Sequence, residues 1–279
     1  MLVDAHQHIW DRRRHDHSWL DSPDLEPIRR CFSVVDLADA APSGTATVAV
    51  QTLASTAETL DLLAAAAGPG SVAAVVGWAD LTSDRPADEL DALAAAPGGD
   101  TLRGLRHLVQ DEPDPRWLLR RDVGRGLAAA TERGLTYDLL VRGPQRGAAL
   151  ELARRTPETS FVLDHAGKPD IGGGEWNSWA QWITELAALP NVVCKLSGLV
   201  TEAGPQGWSR ERILPYGRHV LEEFGAARVM FGSDWPVCLL QASYRDVVDL
   251  ASEIVGDASH GERTAVFSGT ASSVYNLTL

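Results

Sequence analysis

Short runs of β-branched and apolar residues recur along the chain, each followed by an Ala/Leu-rich stretch with apolar positions at helical spacing. The runs predict strands at Leu2–His6, Thr47–Leu53, Val72–Trp78, Leu102–Val109, Leu135–Val141, Ser160–His165, Asn191–Ser197 and Arg228–Ser233. The stretches between them predict helices at Ala57–Ala67, Pro86–Ala96, Arg116–Arg133, Gln145–Arg155, Ser178–Ala188 and Arg210–Phe224. Two more, Tyr244–Val255 and Glu262–Tyr275, follow the last strand. Most strands are apolar at consecutive positions, the pattern of strands covered on both faces, and the repeat of roughly 30–40 residues is that of a βα unit. Eight such units predict an α/β chain folded as a distorted (β/α)8 barrel, one domain over residues 1–279.

An open doubly wound sheet would instead carry a nucleotide fingerprint after an early strand. The G-x-G-x-x-A string Gly124 to Ala129 lies inside a charged helical pattern with no strand before it. Neither a P-loop nor a G-x-S-x-G elbow occurs, so no nucleotide or organic cofactor is expected. The longest Gly/Pro-rich connections follow strand ends, at 11–36, 110–115, 167–177 and 198–209, where a barrel builds its functional face.

Bulk composition narrows the partners. The 279 residues are 44% hydrophobic and carry a net charge of −13, which argues against nucleic acid and anionic membrane. No run reads as a signal peptide or a membrane span, and three distant cysteines (Cys31, Cys194, Cys238) suggest free thiols. The expectation is a cytoplasmic protein acting on a small molecule, as a monomer or homodimer.

Polar residues collect at the strand ends. In Asp4-Ala5-His6-Gln7-His8 the i, i+2 spacing turns both imidazoles to one face, about 7 Å apart along the strand. Strand 2 ends near Gln51 and strand 3 near Trp78. Strand 4 carries Arg106-His107, which as neighbours cannot both face inward, and His107 is the preferred substrate contact. Strand 6 ends in Asp164-His165-Ala166-Gly167-Lys168, strand 7 turns polar through Lys195 and Ser197, and strand 8 ends in Ser233-Asp234-Trp235. Three imidazoles and a carboxylate from separate strand ends suit Zn²⁺ with a position left for water. The second H-x-H string, His15-Asp16-His17, sits in a polar loop with no fixed face; His17 and Trp19 are candidate lid residues, and Trp117, Trp176 and Trp208 lie near the expected rim.

Five segments, 4–10, 104–113, 164–169, 195–199 and 231–236, together resemble the amidohydrolase superfamily, and within it the sugar-acid lactonases that open L-fuconolactone or L-rhamnonolactone. The resemblance implies an active centre of His6, His8, His165 and Asp234, with Asp234 as general base and His165 beside it. It implies one divalent metal, Zn²⁺ by ligand type, which some members of the branch do without. Binuclear members carry a bridging lysine or glutamate on strand 4, which is absent here. Substrate contacts are expected from His107, Arg106, Lys168, Lys195, Trp235, Trp78 and Gln51. The rival readings are a zinc-dependent nonoxidative decarboxylase of an aromatic or muconate-type acid, a lactonase for aromatic-degradation lactones, and a catalytically silent binding barrel.

Overall fold

The computed structural model describes residues 1–278. Eight parallel strands, β1 (Val3–Gln7), β2 (Ala46–Val50), β3 (Val72–Gly77), β4 (Leu102–His107), β5 (Thr136–Leu139), β6 (Phe161–Leu163), β7 (Val192–Leu196) and β8 (Val229–Phe231), neighbour one another in chain order. Between β8 and β1 the ladder is reduced to one bridge, Gln7 to Trp235, so the sheet forms a nearly closed barrel. Helices α1 (Val34–Ala40), α2 (Thr56–Ala67), α3 (Pro86–Ala94), α4 (Arg121–Glu132), α5 (Arg146–Arg155), α6 (Asn177–Ala187), α7 (Arg210–Phe224) and α8 (Tyr244–Val255) surround it. All eight predicted strands and all eight predicted helical stretches are present. Trp117–Leu119 forms a separate 3₁₀ turn ahead of α4, and the last helical stretch is interrupted by a π turn at Ala265–Gly269.

Two apolar layers follow from the strand alternation. The inner one, Val3, Ala5, Val48, Val50, Ala74, Val76, Val162 and Met230, fills the N-terminal half of the barrel and is capped by Tyr275. The outer one, including Leu105, Tyr137, Leu139, Phe161, Leu163, Leu196 and Phe231, packs under the helices. Burying these side chains on both faces supplies the main stabilisation, at about 1.5–3 kcal/mol for each large residue. Toward the C-terminal ends the inner face changes from apolar to charged. Among the described residues no helix is long and apolar enough to cross a membrane, and all three cysteines are free.

Candidate active site

His6 and His8 do come together, by way of a β-bulge. The β1–β2 register shifts between Asp4 and Gln7. Ala5 therefore joins the inner apolar layer while His6, next in sequence, also turns inward. His6 Nε2 and His8 Nε2 end 3.2 Å apart. Asp234 Oδ1 lies 3.4 Å from His8 Nε2, 3.8 Å from His6 Nε2 and 4.0 Å from His165 Nε2. All four groups are buried.

Backbone strain aims two of the four. His165 and Asp234 have φ of 52° and 56°, in the left-handed region that non-glycine residues seldom adopt. The Trp179 indole donates to Ala166 O (2.7 Å), and Arg146 donates to Gly167 O and Lys168 O, so the strained turn is clamped from outside. Opposite, His165 Nδ1 meets Ser197 Oγ at 2.9 Å. Gly198 (φ 69°) packs against the ring so closely that a Cβ there would sit 2.6 Å from Nδ1. Gly198→Ala is therefore expected to displace His165 and lower kcat/KM by about 10²-fold, read from steady-state kinetics with circular dichroism as the folding control.

Asp4 joins β1 to β8 where the ladder is missing. Its carboxylate accepts from His6 N (3.1 Å), Ser233 N (2.8 Å), Ser233 Oγ (2.6 Å) and the Tyr244 hydroxyl (2.9 Å). This ties the histidine strand to the residue preceding Asp234. Burial raises the Asp4 pKa, and these hydrogen bonds oppose the rise.

Beneath the four residues lies a buried charge layer. Arg106 Nη1 bonds Asp164 Oδ2 at 2.9 Å and sits 3.3 Å from His6 Nε2; its other terminal nitrogen is held by the backbone and side-chain oxygens of Gln51. Lys195 Nζ pairs with Asp138, approaches Asp164 Oδ1 at 3.0 Å, and meets His6 Nδ1 at 3.1 Å. Tyr275 donates to Asp138 at 3.0 Å. Asp164 is the functional residue that strand-end reading missed. It directly precedes His165, the strand-end residue expected at the centre. The signal was the alternation itself: Val162 and Asp164 share a face, which puts the carboxylate inside.

The cavity above these groups measures about 390 Å³. His8, Arg106, His165, Lys168 and Asp234 line it, together with Trp19, Thr52, Leu53, Leu108, Gln110, Leu140, Thr201 and Val237. All of these residues but Arg106, the penultimate residue of β4, follow the C-terminal end of a strand. The preference for His107 over Arg106 as the inward residue is reversed. His107 points outward, stacked on Trp117 at 4.1 Å, with Trp78 Nε1 donating to its Nδ1 and Glu112 at its Nε2. The reason lies in Leu105 and Val109, which share its face and belong to the layer under the helices.

Four other expected contacts are not part of the cavity wall. Gln51 is a clamp on Arg106, Lys195 lies wholly buried in the charge layer, Trp235 packs edge-on against Phe32, and Trp78 holds His107. Of the lid and rim candidates only Trp19 reaches the cavity. His17 is buried 3.7 Å from Glu58, and Trp117, Trp176 and Trp208 pack elsewhere.

Electrostatics fit a neutral imidazole set facing an ionised carboxylate. Burial pushes His165 down to about 4 and drives His6 well below its ordinary value, so both rings are neutral at pH 7. Burial alone would raise Asp234, but His165, His8 and His6 outweigh it and hold the carboxyl well below the usual range. Asp164 is likewise held low against its burial by Lys195, His6 and Arg106.

These residues pass a metal fit test. At zinc–ligand bonds of roughly 2.0–2.1 Å, tetrahedral donors stand about 3.3 Å apart. The His6–His8 and His8–Asp234 separations match that edge, while His6 and His165 stand slightly wide of Asp234. His8 Nδ1 is committed to Val50 O at 2.7 Å, which leaves its Nε2 with a lone pair. Asp164 Oδ1 is buried 3.2 Å from His6 Nδ1, and Lys195 Nζ, 3.0 Å away, forms an ion pair with it but no aligned hydrogen bond. In the tautomer with its proton on that nitrogen, His6 donates to this oxygen and its Nε2 is free as a ligand. The His6, His8 and Asp234 donor set can therefore hold a metal ion.

The family model described as amidohydrolase matches residues 3–277. The chain belongs to the amidohydrolase family. It is 42% identical over 247 residues to an L-fucono-1,5-lactonase of Burkholderia ambifaria, covering 88% of this chain and 83% of the relative. An L-fucono-1,5-lactonase of Burkholderia multivorans is 39% identical over 294 residues, covering 99% and 96%. Among solved structures, an amidohydrolase from Burkholderia multivorans with bound zinc superposes with a TM-score of 0.92 at 37% identity, over the whole of both chains.

Proposed function

We propose that this family member is a lactonase that opens the cyclic ester of a small sugar acid, of the L-fuconolactone or L-rhamnonolactone type. The observation that carries this reading is the ionised Asp234 carboxylate within 4.0 Å of His6, His8 and His165, at the base of a cavity with two cations on its wall. Near-full-length identity to two L-fucono-1,5-lactonases supports it. A base facing an ester carbonyl, with cations and hydroxyl-binding groups above it, is what hydrolysis of a polyhydroxylated lactone requires.

His6, His8, His165 and Asp234 would hold one divalent ion, and zinc suits the nitrogen-rich set. Bound there, it would polarise the lactone carbonyl and lower the pKa of water. Asp234 accepts the proton of the attacking water and returns it to the ring oxygen as the C–O bond breaks, giving a hydroxyl and a carboxylic acid that ionises by releasing a proton to solvent. Asp164 and Val50 O fix the ring orientations of His6 and His8 through their Nδ1 atoms. Arg106, held on both sides by Asp164 and Gln51, keeps a fixed cation at the cavity wall.

A pH-indicator screen of aldonolactones, with and without a chelator, tests the reading. Acid release from at least one sugar lactone is expected, and its loss on chelation with recovery on adding Zn²⁺ would establish the ion's role. Carbon dioxide release from an aromatic carboxylate, with every lactone left closed, would instead identify the decarboxylase alternative.

A further inference from the structure

Resting on the lactonase reading, we propose that Glu202 makes the site selective for neutral lactones by neutralising Lys168, the cation best placed to bind an anionic substrate group. Lys168 lines the cavity, three residues after His165. Its ammonium donates to Gln110 Oε1 at 2.8 Å and lies 3.5 Å from Glu202 Oε1. The other Glu202 oxygen accepts from Arg142 at 3.2 Å, so one carboxylate serves two cations. Glu202 follows β7 on the 3₁₀ turn Thr201–Ala203, where its carbonyl accepts from Gly172 N at 3.0 Å. Its side chain is only 9% exposed.

Charge bookkeeping around the cavity supports neutrality. The two cations on the wall, Arg106 and Lys168, each already face a carboxylate, Asp164 and Glu202 respectively. Asp111 and Asp234 also line the cavity; the divalent ion proposed above would be set against Asp234, and no further side-chain cation faces either carboxylate on the wall. A substrate carboxylate or sulfonate would therefore meet no uncompensated side-chain cation, and burying it there would be costly. Hydroxyl groups suit the same wall. Lys168 is hydrogen-bonded to Gln110 and ion-paired with Glu202, so it can still donate an N–H, while Gln110 and Thr201 stand beside it. Glu202 touches no substrate in this scheme and is a positioning and charge-setting residue that acts through Lys168.

The test compares two lactones of one ring, the 1,4-lactone of an aldohexonic acid and the 1,4-monolactone of the matching aldaric acid, which carries a free carboxylate. Proton release gives kcat and KM for wild type, Glu202→Gln and Arg142→Met at low ionic strength and in high salt. Wild type is expected to prefer the neutral lactone. Glu202→Gln should move the kcat/KM ratio toward the carboxylated lactone at least about tenfold, through KM, with the shift shrinking in salt. Arg142→Met should move the ratio the other way, because it removes a cation and leaves Glu202 wholly to Lys168. Arg142 is half exposed, at 49%, so this variant is expected to keep its fold even if Glu202→Gln does not. Ratios within twofold of wild type, or shifts of both variants in the same direction, would overturn the proposal. Absence of proton release from either lactone with wild type would overturn the lactonase reading, and this proposal with it.

Discussion

Asp234→Asn is expected to lower kcat by about 10²–10⁴-fold toward every lactone the wild type opens, with the fold intact. The substitution removes the base and little else. Asn has the shape of Asp, and it is among the few residues that tolerate the left-handed backbone found here, with φ of 56°. The neighbouring anchors stay in place, since Ser233 remains bonded to Asp4 and the Asp234 amide to His6 O at 2.8 Å. Asn can still offer an oxygen to a cation but cannot accept the proton of an attacking water. Assays at saturating Zn²⁺ separate the two roles. Activity restored by metal would make Asp234 a ligand only, whereas loss persisting at full occupancy identifies the base. Undiminished turnover of the best lactone would sink the assignment.

Much of this site was readable from the polar residues at the strand ends, and the failures have physical reasons. His6, His8, His165 and Asp234 are strand-end polar groups on otherwise apolar runs, the kind of residue that a buried face tolerates only with partners. The bulge in β1 was not legible, because Ala5 suits the inner layer and His6 suits the site equally well. On β4 the two faces read as equivalent until the outer layer is considered. Leu105 and Val109 belong beneath the helices, so His107 follows them outward and Arg106 is left inside. Gly104, on the Arg106 face, points the same way: a Cβ there would lie 2.3 Å from Thr136 Oγ1 on β5. Asp164 and Gln51 escaped assignment as supporting groups because their importance lies in what they hold, which pattern cannot report. Tryptophans near loop ends proved a poor guide, since Trp117, Trp176 and Trp208 serve packing while Trp19, on a short 3₁₀ turn, reaches the cavity.

Lys195→Met is expected to destabilise the fold by about 3–5 kcal/mol at pH 7–8, the cost of removing one partner from a buried charge group. Lys195 has no exposed surface and is the one ammonium between Asp138 and Asp164, themselves fully buried. Arg106 still serves Asp164 in the variant, so the burden falls on Asp138, whose remaining partners are Tyr275 and Thr136. Burial already raises the Asp138 pKa despite Lys195, and without the ammonium it must rise further. A carboxyl whose folded pKa lies above its unfolded one favours folding in its protonated form and loses that contribution as pH rises through the folded value. The deficit of Lys195→Met should therefore be largest near pH 8 and narrow toward pH 5. Adding Asp138→Asn should recover part of it at pH 8 and little at pH 5, because the carboxyl is then already neutral. Urea unfolding of wild type, single and double variants at the two pH values reads this directly. A deficit independent of pH, or no recovery in the double variant, would mean that Lys195 contributes by packing rather than by charge. The same variant probes the site, since His6 Nδ1 loses the cation 3.1 Å away and Asp164 becomes the nearest group to orient that ring. Metal affinity in the double variant then reports how far the charge layer, apart from the fold it stabilises, sets the His6 tautomer.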